Sequence, residues 1–174
     1  MIARGRTLAI TIIGVSAIVS PDLADRPPLL IWNASASVPV GLYRVEKVGP
    51  LRVGDLVAAT PPEPLASFLA DGGYLPRGVP LMKHVAALPG QSVCRSGLTV
   101  SIDAVMVGEA RERDSRDRPL PVWQGCRVVP AGEVFLMNAK EAFSLDGRYF
   151  GPLPAASIIG SAAPLWTHRT AEEE

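Results

Sequence analysis

Leu81-Met82-Lys83-His84-Val85-Ala86-Ala87-Leu88-Pro89-Gly90 is the stretch on which the fold turns. An apolar run ending in a Pro-Gly turn predicts a β-strand. At a period of two residues Lys83 shares a face with Val85 and Ala87, while Met82, His84 and Ala86 take the other. A lysine on such a strand has two readings. It is an edge charge that blocks unwanted pairing, or an amine held partly out of water, where burial disfavours its charged form. Taken alone, the strand favours the first.

Composition sets the surroundings of that strand. Seventeen prolines and sixteen glycines in 174 residues interrupt the chain too often for long helices and suit short strands joined by turns, so the expected fold class is mainly β. An apolar fraction of 48% is enough for the core of one ordinary domain. Basic and acidic residues balance at 17 each, with no long run of either sign, which leaves no electrostatic footprint for nucleic acid. The two cysteines, Cys94 and Cys126, and the two histidines, His84 and His168, lack the spacing of a metal site. In an oxidising compartment the cysteines would pair; in the cytosol they would be buried free thiols.

The compartment is read at the N-terminus. Arg4 and Arg6 precede an uncharged, mostly apolar run from Thr7 to Pro21, closed by Asp22 and Asp25. As a helix this run extends about 22 Å, short of the roughly 30 Å hydrocarbon core. It reads as a membrane anchor or a signal segment, and in either case the positive flank predicts export of the chain beyond it. Residues 1–28 form that segment, 29–168 the expected catalytic domain, and 169–174 a polar tail. Leu29-Leu30-Ile31-Trp32 would add an interfacial contact beside an anchor, or else form a buried strand.

Further along, Ser35 and Ser37 stand before the turn Pro39-Val40-Gly41 and the strand after it. Leu65 to Ala70 reads as a short helical turn. Glu109 to Arg118 mixes both charge signs with almost no apolar residue, the composition of a solvated, mobile loop whose charges need no functional explanation. Phe143 to Pro154 contains Ser144, Asp146, Gly147 and Arg148, which alone read as an Asp-Gly turn with an incidental arginine.

Familiar catalytic motifs are missing. The sequence has no Gly-x-Ser-x-Gly elbow and no glycine-rich phosphate or dinucleotide loop. With one histidine beside Lys83 and the other in the tail, a Ser-His-Asp triad lacks a well-placed base. A Ser-Lys pair is the remaining hydrolytic option.

Three segments, in this order behind an N-terminal apolar run, resemble the signal peptidase I superfamily, and most of all its TraF-type branch of conjugative transfer peptidases. They are Ser37-Val38-Pro39-Val40-Gly41-Leu42-Tyr43, Lys83 to Gly90, and Ser144-Leu145-Asp146-Gly147-Arg148-Tyr149-Phe150-Gly151. General signal peptidases place proline three residues after the nucleophile. Here Pro39 is two after Ser37, and the Pro-x-Gly-Leu-Tyr continuation fits the TraF-type branch.

The resemblance implies a β-sheet catalytic domain of the signal peptidase I type behind a membrane-anchor helix. It implies Ser37 as nucleophile, with Ser35 as the alternative, and Lys83 as general base. Ser35 would help the Ser37 backbone N–H at the oxyanion, Ser144 would orient the lysine, and Asp146 and Arg148 would support the site. A lysine base must be neutral, so its pKa has to fall from about 10.4 towards 7 or 8. No cofactor or metal is implied. The expected function is a serine endopeptidase in the inner membrane, with its catalytic domain in the periplasm beside other proteins of a conjugation apparatus. Its implied substrate is an exported precursor, the pilin of a type IV secretion system, released by hydrolysis or joined into a ring. A general leader peptidase and a non-catalytic periplasmic assembly protein are the alternatives.

Overall fold

A computed structural model describes residues 30–168. The expected membrane segment, 1–28, and the tail, 169–174, lie outside those residues. The chain runs through β1 (Leu30–Asn33), β2 (Gly41–Glu46), β3 (Leu56–Ala59), helix α1 (Leu65–Asp71), β4 (Leu81–Ala87), β5 (Ser92–Ser96), β6 (Thr99–Ile102), β7 (Val105–Glu109), β8 (Gly125–Val128), β9 (Glu133–Met137), a four-residue helix α2 (Gly147–Phe150), β10 (Leu153–Pro154) and β11 (Ile158–Thr167). The strands form two antiparallel sheets. One has seven strands in the order β1-β2-β11-β3-β4-β9-β10, the other four in the order β7-β6-β5-β8. The mainly β expectation holds.

The lysine strand lies inside the larger sheet. Between β3 and β9, it pairs Val57 with Lys83 and Val85 with Leu136. Both of its ladders are occupied, so the edge-charge reading of Lys83 falls. On one side Leu81 and Val85 pack with Val57, Leu136 and the helix residues Leu65 and Leu69. Those two leucines are four apart and so share one face of α1, each contributing roughly 1.5–3 kcal/mol by burial. On the other side Met82 packs with Val38, Tyr43 and Ala162. The expected alternation breaks at the end of β4. The pairing with β9 shifts between Val85 and Ala87, and Ala87 packs with Val93, Trp123 and Phe135 under the smaller sheet instead of sharing the lysine's surroundings.

Two other expectations need correction. The charged stretch from Glu109 to Arg118 is solvated as expected, with seven of its ten residues exposed, but it is tethered to the domain. Asp114 accepts hydrogen bonds from the Tyr74 hydroxyl at 2.6 Å and from Arg118 Nε at 2.7 Å, and Arg118 also donates to the Gly72 carbonyl at 2.7 Å. These side chains tie the segment to the end of α1, a partnership invisible in local composition. At the N-terminal end, Leu30 to Trp32 do form a strand, yet a poorly covered one. Trp32 is 57% exposed and stacks on Trp166, 51% exposed, with ring centroids 5.7 Å apart.

Cys94 and Cys126 sit opposite each other on β5 and β8 and are joined by a disulfide closing 32 residues of chain. Replacing both by serine is expected to lower the unfolding free energy by about 3 to 4 kcal/mol in the chain-entropy model. Denaturant titration of oxidised protein against the double variant checks this. Equal midpoints, with two titratable thiols in the unreduced denatured protein, would exclude the bridge.

Candidate active site

Lys83 is only 4% exposed, and its Nζ donates to the Ser144 hydroxyl at 2.7 Å. Burial pushes the amine down to about 8. The carboxylate of Asp146 pulls its pKa the other way, and the Arg148 guanidinium adds to the lowering. About a tenth of the amine is then neutral at pH 7, and a neutral amine is a base.

Asn138, just past β9, fixes the strand on both sides of that lysine. Its Oδ1 accepts from the His84 backbone N–H at 3.1 Å, and its Nδ2 donates to the Met82 carbonyl at 3.1 Å. Ser144 lies in the next loop, held by one buried ion pair. Asp146 Oδ1 accepts from Arg148 Nε at 2.9 Å, and Asp146 Oδ2 from the Asn138 backbone N–H at 3.0 Å. The second arm of Arg148 donates to the carbonyls of Glu141 at 2.6 Å and Ser144 at 3.2 Å. The arginine is therefore the staple of the loop, not an incident in a turn. Removing one partner of such a pair costs roughly 3–5 kcal/mol, because the other charge stays buried. Gly147 opens α2 at this point because a side chain has no room. A Cβ there would come within 2.6 Å of the Phe135 ring and 2.8 Å of the Leu136 carbonyl.

Ser35 and Ser37 occupy the turn between β1 and β2. Val38 buries its side chain against Tyr43 and Met82, and the Tyr43 hydroxyl donates to the Pro39 carbonyl at 2.6 Å. Gly41 allows β11 to approach, since a Cβ would fall 2.1 Å from the Trp166 carbonyl oxygen. The Pro-x-Gly-Leu-Tyr run thus has a packing reason. It clamps the turn onto the sheet. Ser35 Oγ and Ser37 Oγ are 2.9 Å apart.

These groups open onto one cleft of about 330 Å³, walled by Ser35, Ser37, Lys83, Ser144, Leu81 and Phe143 among others. Among the described residues no hydrogen bond joins Ser37 to Lys83. The serine is bonded to Ser35 and the lysine to Ser144. Tertiary structure therefore gathers the six residues singled out in the sequence into two neighbouring sets, Ser35 with Ser37 and Lys83 with Ser144, Asp146 and Arg148. Cys94 and Cys126 lie apart in the smaller sheet. Sequence reading missed Asn33 and Asn138. An asparagine two residues before a serine-rich turn is a recognisable side-chain-to-backbone motif and was the available signal for Asn33.

A serine turn and a buried lysine thus open onto one cleft in an antiparallel sheet. The chain belongs to the signal peptidase family: the family described as signal peptidase, peptidase S26, matches residues 3–166. Its relatives include the conjugal transfer protein TraF of Agrobacterium fabrum, 38% identical over 146 residues that cover 78% of this chain and 81% of that protein. The plasmid transfer protein TraF of Escherichia coli is 31% identical over 145 residues, covering 78% of this chain and 81% of that one. A signal peptidase I crystal structure from Enterococcus faecalis V583 aligns with 67% of this chain and 98% of its own, at 22% identity and a TM-score of 0.40.

Burial of Lys83 has a measurable stability signature. The amine titrates at about 8 in the fold against 10.5 ordinarily, so the unfolded chain binds more protons between those values and stability rises with pH across that window. Below pH 8 the lysine opposes folding by about 3 kcal/mol. Lys83→Met removes that opposition and strands the Ser144 hydroxyl, at about 1 kcal/mol. The variant is expected to be more stable than the parent by about 2 kcal/mol at pH 7, an advantage that fades towards pH 10.5. Denaturant unfolding at pH 7 and pH 10 measures it. A variant less stable at pH 7, or a difference independent of pH, would rule out a destabilised ammonium.

Proposed function

We propose that the protein is a serine endopeptidase that cleaves an exported precursor through an acyl-enzyme, with Ser37 as nucleophile and Lys83 as general base. The observation that carries this reading is the buried amine of Lys83, lowered to about 8, on the same cleft as the Ser37 hydroxyl. Ser37 Oγ attacks the scissile carbonyl carbon while Lys83 takes the hydroxyl proton. The oxyanion is met by the Ser37 backbone N–H and the Ser35 hydroxyl, each such donor being worth about 3 to 4 kcal/mol in the barrier. As the carbon–nitrogen bond breaks, the protonated lysine returns that proton to the leaving amine. Water then adds to the acyl ester, giving a proton to Lys83, which returns it to Ser37 Oγ as the acid is released. An amine in place of water would instead form a new peptide bond, the step by which a pilin could be closed into a ring.

The names of the relatives support a substrate within a conjugation apparatus, and a pilin precursor is the substrate we assign. Placement at a membrane is supported by the exposed apolar surface of Leu30 and Trp32, which follow the apolar N-terminal segment in the chain, and of Leu165 and Trp166 on β11, which pairs with the start of β2. Tryptophans suit the headgroup region of a bilayer. Such a membrane is the inner one, with the catalytic domain on its periplasmic side.

Ser37→Ala is expected to abolish precursor processing and Lys83→Ala to slow it by roughly 10²–10⁴. The parent's rate should climb with pH through about 8, as Lys83 loses its proton. Parallel assays on a pilin precursor and an ordinary secreted precursor distinguish a dedicated peptidase from a general one. Full activity in Ser37→Ala, or a rate flat from pH 6 to 9 with chemistry limiting, would refute the dyad.

For the full chain in bilayers, lipid-borne quenchers at headgroup depth should quench Trp32 and Trp166, but not Trp123 in the core. Quenching unaffected by Trp32→Phe and Trp166→Phe would remove the membrane contact.

A further inference from the structure

Asn33 closes β1 with its side chain turned inward, 7% exposed. Its carboxamide makes five hydrogen bonds to the serine turn. The two protons of Nδ2 are shared among the carbonyls of Ser35 at 2.8 Å, Val38 at 3.0 Å and Pro39 at 3.1 Å. Oδ1 accepts from the Ser35 backbone N–H at 3.1 Å and from the Ser35 hydroxyl at 2.9 Å. The amide fits only this way round, since a flip would aim its oxygen at three carbonyls and its NH2 at a backbone N–H.

That orientation sets the direction of every proton after it. A carboxamide oxygen has none to give, so the Ser35 hydroxyl must donate to it. With its single proton committed, Ser35 Oγ can only accept in its 2.9 Å contact with Ser37 Oγ. The Ser37 proton therefore points at Ser35 in the free enzyme. The Lys83 amine is meanwhile held by Ser144.

We infer that Asn33 is a positioning residue for peptide cleavage, acting through the Ser35 hydroxyl to hold the Ser37 side chain in one direction. The inference rests on the reading of Ser37 as nucleophile. The physical gain is preorganisation of the Ser37 oxygen, whose proton swings from Ser35 to Lys83 as the carbonyl is attacked. Ser35 Oγ stays within reach of Ser37, and a rotation about its own C–O bond carries its proton from a neutral amide oxygen to the forming oxyanion. A charged acceptor wins that competition, because hydrogen bonds to ionised oxygens are about twice as strong as neutral ones. Without Asn33 both hydroxyls sample several rotamers, and the geometry must be found afresh in each turnover.

The test is a double-mutant cycle on kcat and KM, using a peptide that spans the cleavage site of the precursor. Asn33→Ala is expected to lower kcat by about ten- to a hundred-fold, with KM within about three-fold. In a Ser35→Ala background the same change should cost less than about three-fold, since the hydroxyl through which it acts is already gone. Equal losses in both backgrounds would mean that Asn33 merely holds the turn carbonyls, and would overturn the inference. Should Asn33→Ala fail to fold, Asn33→Gln keeps the amide but displaces it by one methylene, and the same kcat loss and the same non-additivity are expected. Parental kcat in Asn33→Gln would overturn the inference too. Ser37→Ala run alongside separates the two levels. An active Ser37→Ala removes the nucleophile assignment itself, whereas an inactive one beside Asn33 variants with parental kcat removes only the role of Asn33.

Discussion

The 2.7 Å hydrogen bond between Lys83 and Ser144 inside the sheet is the constraint the rest of this domain serves. A lysine can be kept from water only if something else accepts its protons and little nearby favours its charge. Strand β4 prepares for this by lying between two partners, which covers the lysine from water. The loop after β9 meets both needs. It delivers a neutral hydroxyl at hydrogen-bonding distance while the Asp146 carboxylate is occupied by Arg148 and the Asn138 N–H.

Holding that loop in place requires the buried Asp146–Arg148 pair, both partners almost wholly out of water. An ion pair of this kind is a weak source of net stability, since the desolvation of two charges offsets much of their attraction. Its value here is geometric. Arg148 bonds the carbonyls of Glu109, Glu141 and Ser144 at once, and so sets the route by which the loop runs past the lysine. On the opposite wall the serine turn is held by a different kind of clamp, neutral and smaller, built from the Asn33 amide, the Tyr43 hydroxyl and the close approach at Gly41.

Much of this was legible in the residues. Short strands, the Pro-Gly turn after β4 and the helical turn at Leu65 arise from apolar runs and breakers, because these act over a few neighbours. The spacing of Ser37, Lys83 and Ser144 was legible only by resemblance, since residues this far apart in the chain share no local pattern. The tether on the charged segment up to Arg118 was missed for the same reason. Its composition is that of a solvated loop, and what orders it is a tyrosine 40 residues before Asp114.

Sequence alone determined that the domain is β-rich and, by resemblance, which serines and which lysine match the family's motifs. Tertiary structure decided whether Lys83 is an edge charge or a buried amine. A strand's place in a sheet depends on long-range pairings, here Val57 on β3 with Lys83 and Leu136 on β9 with Val85, and pairings of that range leave no trace in its own alternation. The same holds for Asn33. Its residue type is written in the chain, but the three carbonyls and one hydroxyl that give its amide a direction exist only once the turn has closed around it.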